Sequence, residues 1–302
     1  MTTVLVTGSS GFLGGAVASR LAKQGIRTVG LDPVPLSGSM VETIVDDLGD
    51  RQRIARHLTA HRITHVIHCG GISSPRLASA EAIMVQNVAA SLNLFLACRD
   101  VGVRRCVYAS SVAVLGAFEG VATATTPPRP RNPYAFSKAA AEQMIGGLRH
   151  DRSTSFCILR FAGIYGPGRR TGILPNDLAA AAAGGRHLRI VAGGKTSYIF
   201  IDDAAQAAVS ACFATHLTDQ PYYIAHPERV SAADLAQAVR AVSPAFTFEL
   251  HPDESAPTFG SLDTLPAQRD LLFQPQIDHR NGIDLVYHAI VSLLESENGH
   301  ER

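Results

Sequence analysis

The chain has no tryptophan, and lysine is almost absent: of 27 basic residues only Lys23, Lys138 and Lys195 are lysines. Charge of one sign is missing too, with a formal net charge of +1 and arginines scattered along the chain. That pattern provides no electrostatic footprint for nucleic acid or an anionic membrane surface, so a small or neutral partner is expected. No apolar run approaches the ~20 residues a membrane-spanning helix requires. The opening MTTVLVTGSSGFLGG has no basic region before its short apolar run and does not read as a secretory signal, so a cytoplasmic location is expected. Cysteines are few, odd in number and far apart (Cys69, Cys98, Cys106, Cys157, Cys212), which fits reduced, small apolar residues and excludes a disulfide framework. The spacing His57, His61, His65, His68 imitates a metal-binding helix face, but a strand is expected to begin by His65. Only His57 and His61 then share a face, and no metal is expected.

What is present is a soluble globular composition, 46% hydrophobic and 18% charged over 302 residues, enough for one large α/β domain or two lobes. Short β-branched runs alternate with amphipathic stretches: TVLVTG (3–8), RTVGLD (27–32), THVIHCGG (64–71), RCVYASS (105–111) and SFCILRF (155–161) as strands. Between them FLGGAVASRLAKQG (12–25), RQRIARHLTAHR (51–62), the stretch 81–102 and the stretch 134–150 read as helices. Such alternation implies α/β architecture, a doubly wound parallel sheet covered on both faces. After Arg160 the pattern loosens into a Gly/Pro-rich loop, a helix within 177–187 and shorter elements. Residues 1–162 are therefore expected to form the sheet domain and 163–302 mainly a smaller lobe, with about 196–225 returning to the sheet.

The turn VTGSSGFLG sets Gly8, Gly11 and Gly14 between the first strand and the first helix, with Ser10, Phe12 and Leu13 between and beside them. A tight turn that lets a pyrophosphate approach the backbone, with helix N–H groups receiving its charge, wants glycines here. Asp32 ends the second strand, where a carboxylate accepts hydrogen bonds from both adenosine ribose hydroxyls and repels a 2′-phosphate; the expected cofactor is NAD. Asp47, followed by Leu48, is the candidate reader of the adenine amino group, while Asp46 and Asp50 are candidates for solvated or capping roles.

The heptapeptide NPYAFSK (132–138) places Tyr134 and Lys138 one helical turn apart. Seven tyrosines and three lysines in this length give only about 0.07 chance occurrences of Tyr-x-x-x-Lys. A hydroxyl that gives up hydride must also lose its proton, so a base has to sit within reach. Free tyrosine, pKa about 10, is a poor base at neutral pH. An ammonium on the same helix face, and a helix N-terminus opened by Asn132 and Pro133, stabilise its phenolate.

With the glycine triplet, HCGG (68–71), YASSVAVLG (108–116), PYAFSK (133–138) and LRFAGIYGPG (159–168) in this order, residues 3 to 240 resemble the extended short-chain dehydrogenase/reductase family, the NAD-dependent epimerase/dehydratases. The resemblance implies a Rossmann fold with a C-terminal substrate-binding lobe, bound NAD, and Ser111, Tyr134 and Lys138 as the catalytic set, with Ser110 a weaker alternative to Ser111. It further implies that Cys69, Gly70, Gly71, Phe161, Gly163 and Ile164 border the cofactor. Asn87 would support the active site or its ligands, or simply bond neighbouring backbone. It also implies a homodimer paired through the helices 81–102 and 134–150.

Departures from the family pattern bear on the substrate. The Asp-Glu pair of dehydratases is replaced by Val112 and Ala113 after Ser111, which argues against dehydration. The Asn and Arg of nucleotide-sugar epimerases fall at Gly163 and Thr196, and threonine cannot clamp a pyrophosphate as arginine does; Lys195, Arg169, Arg170 or Arg186 are the cations that could serve from elsewhere, but the loss of both residues argues for a smaller substrate. Ser73 and Ser74 of GGISSP (70–75), a loop similar to that of sugar-acid dehydrogenases, and Arg170 as a carboxylate partner are the candidate substrate contacts. The expected activity is hydride transfer between NAD and a hydroxyl of a small sugar, sugar acid or polyol. The alternative is a sugar-nucleotide epimerase that keeps its NAD bound.

Overall fold

The computed structural model describes residues 2–35, 41–74, 76–151, 153–253 and 259–300, so Pro75 of the GGISSP loop lies outside the described residues. Seven strands build the main sheet: β1 (Thr3–Thr7), β2 (Arg27–Asp32), β3 (Glu42–Val45), β4 (His65–His68), β5 (Arg105–Ser111), β6 (Ser155–Phe161) and β7 (Tyr222–Ile224). Every neighbouring pair is parallel, in the order β7-β6-β5-β4-β1-β2-β3. Helices α1 (Phe12–Lys23), α2 (Arg51–Ala60), α3 (Ala80–Val101, with a π turn at Val85–Ala89) and α4 (Pro133–Leu148) connect the strands. The chain order reverses between β1 and β4, where an open α/β sheet presents its ligand crevice at the C-terminal strand ends.

Side chains alternate across the sheet. Val4 and Val6 of β1 join Val17 and Leu21 of α1, together with Ala204, Ala208 and Cys212 of the helix Ile201–Phe213, on one face. Leu5 points to the other, with Ile54 and Leu58 of α2, Leu94 and Phe95 of α3, and Ile145 of α4. Burial on both faces is why these strands read as unbroken apolar runs. One expectation needs correcting: α3, 22 residues long with a mean hydropathy of 1.3 over its most apolar 18 residues, is long and apolar enough to cross a membrane. Its Leu94, Phe95, Ala97 and Cys98 are fully buried against the sheet, as in a core helix.

A second core, with Leu178, Ile190, Leu235, Val239, Phe246 and Ile283, joins the helices Leu174–Ala183, Ala232–Val242 and His279–His300 to the strand pair Leu188–Ala192 and Phe248–Pro252. The helix expected within 177–187 thus starts three residues earlier, where Pro175 occupies its first turn. The segment 196–225 divides: Thr196–Phe200 pairs with Gly163–Tyr165 outside the main sheet, Ile201–Phe213 packs on α1, and Tyr222–Ile224 becomes β7.

Candidate active site

A cleft of about 1270 Å³ opens along the C-terminal ends of the strands and between the two cores. Its floor begins at the β1–α1 turn. Gly8 has a φ of +67°, and a Cβ there would lie 2.7 Å from the backbone of Gly70. A Cβ on Gly14 would lie 2.0 Å from the Gly8 carbonyl oxygen, so helix and turn meet only because both residues lack side chains. The N-cap of α1 is Gly11, with no side-chain cap, which leaves the first N–H groups of the helix directed at the cleft. Asp32 accepts from the Ser10 N–H through Oδ2 (3.1 Å) and from the Val34 N–H through Oδ1 (2.9 Å). A carboxylate has about four acceptor positions, so two remain for ribose hydroxyls. The turn, the bare helix end and this acidic residue fit a dinucleotide.

Further along, Asn132 caps α4 by accepting from the Ala135 N–H (2.9 Å), and Pro133 occupies the first helical position. Tyr134 therefore stands in the first turn of a well-formed helix, half-buried, and lines the cleft with Ser111, whose hydroxyl accepts from the Ala113 N–H (3.1 Å). Burial raises the Tyr134 pKa, against the opposing pull of the Ser111 hydroxyl and the nearby charge of Arg169. Lys138 is buried, donates to the Ala109 carbonyl (2.7 Å), and its Nζ lies 4.8 Å from the Tyr108 ring centre and 5.9 Å from that of Tyr134. Burial pushes the Lys138 ammonium down to about 8. Ser110, the weaker alternative to Ser111, also borders the cleft, but it is buried and donates its hydroxyl to Glu142 (2.5 Å).

Beneath these groups, His68 ties the nucleotide turn to α3. Ser91 Oγ donates to the Asn87 carbonyl (2.6 Å), so it can only accept from His68 Nε2 (2.9 Å). The proton therefore sits on Nε2, and Nδ1 accepts from Thr7 Oγ1 (2.6 Å), which in turn accepts from the Gly70 N–H (3.3 Å). Protonating Nδ1 would break this chain, and burial, with the Lys138 charge, pushes His68 down to about 3. Between pH 6.5 and 5 the unfolded state takes up a proton that the folded state refuses, so stability falls as pH falls. The expected contribution is about 2 kcal/mol lost over that window, and urea midpoints measured for wild type and His68→Asn should show the acid slope flattened in the variant.

The structure brings most of the expected residues to the cleft: Ser10, Phe12, Leu13, Cys69, Gly71, Ser73, Phe161, Gly163 and Ile164 line it together with Ser111, Tyr134 and Lys138. Cys69 keeps its thiol, pushed up to about 12 by burial. Asn87 does not reach the cleft. It pairs with both backbone groups of Ile72 (2.7 and 2.9 Å) and donates to Ser137 Oγ (3.0 Å), holding the β4 loop against α4. Ser74 is not brought in either, because its hydroxyl accepts from the Arg76 N–H in a local turn (3.2 Å). Asp47 accepts from the Gly49 N–H (2.8 Å) and pairs with Arg53, and the Leu48 carbonyl accepts from Asn93, beyond the cleft lining. Asp46 is less idle than expected, holding His57 at 2.8 Å, while Asp50 caps α2. Arg170 lines the cleft but is exposed; its neighbour Arg169 is the embedded cation, donating to the carbonyls of Ile164 (2.7 Å) and Thr171 (3.0 Å) beside the Phe12 ring. Nothing in the spacing of two consecutive arginines distinguishes which one turns inward.

The model of the NAD dependent epimerase/dehydratase family matches residues 4–224, from β1 to the end of β7. The chain belongs to this family. Its cofactor is accordingly NAD. Among curated relatives, the UDP-glucose 4-epimerase of Azospirillum brasilense is 33% identical over 182 residues, 56% of this chain and 51% of that protein. The 2-alkyl-3-oxoalkanoate reductase of Shewanella oneidensis is 30% identical over 260 residues, 78% of this chain and 65% of that protein. The chain thus spans about half to two thirds of the length of these relatives. Among solved structures, the NAD complex of the UDP-glucose 4-epimerase of Thermus thermophilus is 26% identical with a TM-score of 0.84, covering 96% of this chain and 99% of that one.

Proposed function

We propose that this family member is an NAD-dependent oxidoreductase that moves a hydride between NAD and a hydroxyl carbon of a small sugar, sugar acid or polyol. The observation carrying this reading is that Tyr134, Ser111 and Lys138 converge at the cleft while the places expected to hold a nucleotide-sugar clamp are filled by Gly163 and Thr196. A side chain at Gly163 would meet the Tyr198 ring at 2.9 Å, so aromatic carbon occupies the space an asparagine would need. NAD supplies the hydride acceptor. Ser111 holds the substrate oxygen, Tyr134 takes the hydroxyl proton as the C–H bond breaks, and Lys138 stabilises the phenolate and anchors the nicotinamide ribose. Ser73 from the β4 loop and Arg169, in place of the expected Arg170, are the polar groups proposed to orient the substrate. Asp32 binds the adenosine ribose, with Asp47 and Leu48 at the adenine end.

The second reading, a sugar-nucleotide epimerase, has the similarity to UDP-glucose 4-epimerases in its favour and uses the same three residues. The two separate in a thermal-shift experiment. The oxidoreductase is expected to be purified largely free of NAD, to gain several degrees on NAD addition, and to ignore UDP-sugars; NAD retained through purification with a shift from UDP-glucose would favour the epimerase. A homodimer through α3 and α4 follows from exposed Met84 (42%), Val85 (58%) and Phe136 (55%) on those helices. Light scattering at the mass of two chains supports it. Free cysteines throughout suit a reducing, cytoplasmic setting.

A further inference from the structure

One turn beyond Lys138 on the same helix face, Glu142 is buried and faces Arg160 of β6 in a paired fork. Arg160 Nε lies 3.0 Å from Oε1 and Nη2 lies 2.7 Å from Oε2, with only 4% of either side chain exposed. Ser110 adds a third donor to the carboxylate, and Arg160 Nη1 donates to Tyr223 (3.0 Å), whose hydroxyl donates to the Thr123 carbonyl (3.0 Å). Ser110, Arg160 and Tyr223 are register partners on β5, β6 and β7, so the network crosses three strands directly beneath the catalytic helix. The proposed mechanism asks only that Lys138 be an ammonium; it assigns nothing to this pair.

We propose that Glu142 and Arg160 are positioning residues that set the charge of Lys138: Glu142 keeps the buried lysine protonated, and Arg160, by holding Glu142, prevents it from neutralising the ammonium that Tyr134 needs. The proposal rests on the reading of Lys138 as the support of the Tyr134 phenolate. Lys138 is faced by His68 from β4, Cys69 just beyond it, Tyr108 from β5, and Tyr134 and Glu142 from its own helix. Of these, Glu142 is the one carboxylate, and its charge opposes the burial that drives the lysine towards neutrality. The buried set of Lys138, Glu142 and Arg160 sums to one positive charge. That leaves the field of one cation at Tyr134, the amount that a phenolate compensates. A glutamate alone would cancel it, and an arginine alone would strip the proton from the lysine.

The test reads Lys138 directly. With only three lysines in the chain, ¹³Cε-lysine NMR resolves each titration, and Lys23 and Lys195 serve as internal references. In Glu142→Gln the Lys138 midpoint should fall by about one pH unit or more, and in Arg160→Met it should rise by a similar amount. A purely structural pair would move both midpoints together towards the solvent value, and either that result or an unmoved midpoint overturns the proposal. If a single variant fails to fold, the double variant Glu142→Gln/Arg160→Met removes both charges of the pair, leaves neither partner's charge uncompensated by the other, and should give a midpoint between those expected for the two single variants; a midpoint outside that interval also overturns it. The readout needs neither substrate nor turnover. Failure here with an active enzyme would remove the pair's role and leave the proposed function standing.

Discussion

Tyr134→Phe is expected to lower NAD-linked turnover by about a thousandfold, the scale of a lost general base, while NAD affinity stays within about threefold of wild type. The phenyl ring keeps the packing of the first turn of α4, so the variant removes the proton acceptor and little else. Steady-state rates together with NAD titration calorimetry separate the two effects. A pH dependence belongs to the same prediction. Burial raises Tyr134 above its ordinary value, so the phenolate fraction, and with it the rate of alcohol oxidation, should climb from neutral towards alkaline pH. In Tyr134→Phe the residual rate should lose that climb. Lys138→Met should fall as far in rate but also weaken NAD binding, because the same ammonium is the proposed ribose anchor.

The second large effect concerns the turn. Gly14→Ala would push a methyl to 2.0 Å from the Gly8 carbonyl oxygen, and backbone cannot step aside as a flexible side chain does. The expected result is a loss of NAD affinity of at least about a hundredfold, near 2.8 kcal/mol, together with about 1–3 kcal/mol of stability from overpacking. Gly15→Ala makes the useful contrast. Its methyl would meet the Ser9 carbonyl oxygen at 3.3 Å, a gap that a shift of a few tenths of an ångström opens, so its effect should be several times smaller. Equal losses in the two variants would mean that helix propensity or general packing, rather than the close approach of turn and helix, governs binding.

The features legible in the sequence were local ones. The parallel strands announce themselves because residues such as Val4, Leu5 and Val6 are buried on alternate faces and leave no polar position between them. The nucleotide turn is legible because glycine spacing reports backbone approach, and Tyr134 with Lys138 because four residues make one helical turn. Contacts between distant segments were not legible. Both arginines border the cleft, but Arg169 rather than Arg170 is embedded there because the carbonyls of Ile164 and Thr171 hold its guanidinium, a consequence of how one loop folds back. Ser74 is drawn off by the turn to Arg76. Tyr198 fills the space beside Gly163 from a strand 35 positions away, so the sequence shows a missing asparagine but not what replaces it. Glu142 could have been noticed: Tyr134, Lys138 and Glu142 recur every four residues along one helix face. Its partner Arg160 comes from another strand, and only the fold shows that the carboxylate is shared.

The central claim is that this cleft oxidises a small substrate with net reduction of NAD. It is tested most directly by presenting the purified enzyme with NAD and a panel of free sugars, sugar acids and polyols beside UDP-sugars, following NADH and analysing products by chromatography. The account predicts stoichiometric NADH with at least one substrate lacking a nucleotide, and none from the UDP-sugars. Interconversion of a UDP-sugar with no net NADH, and silence across the rest of the panel, would contradict it.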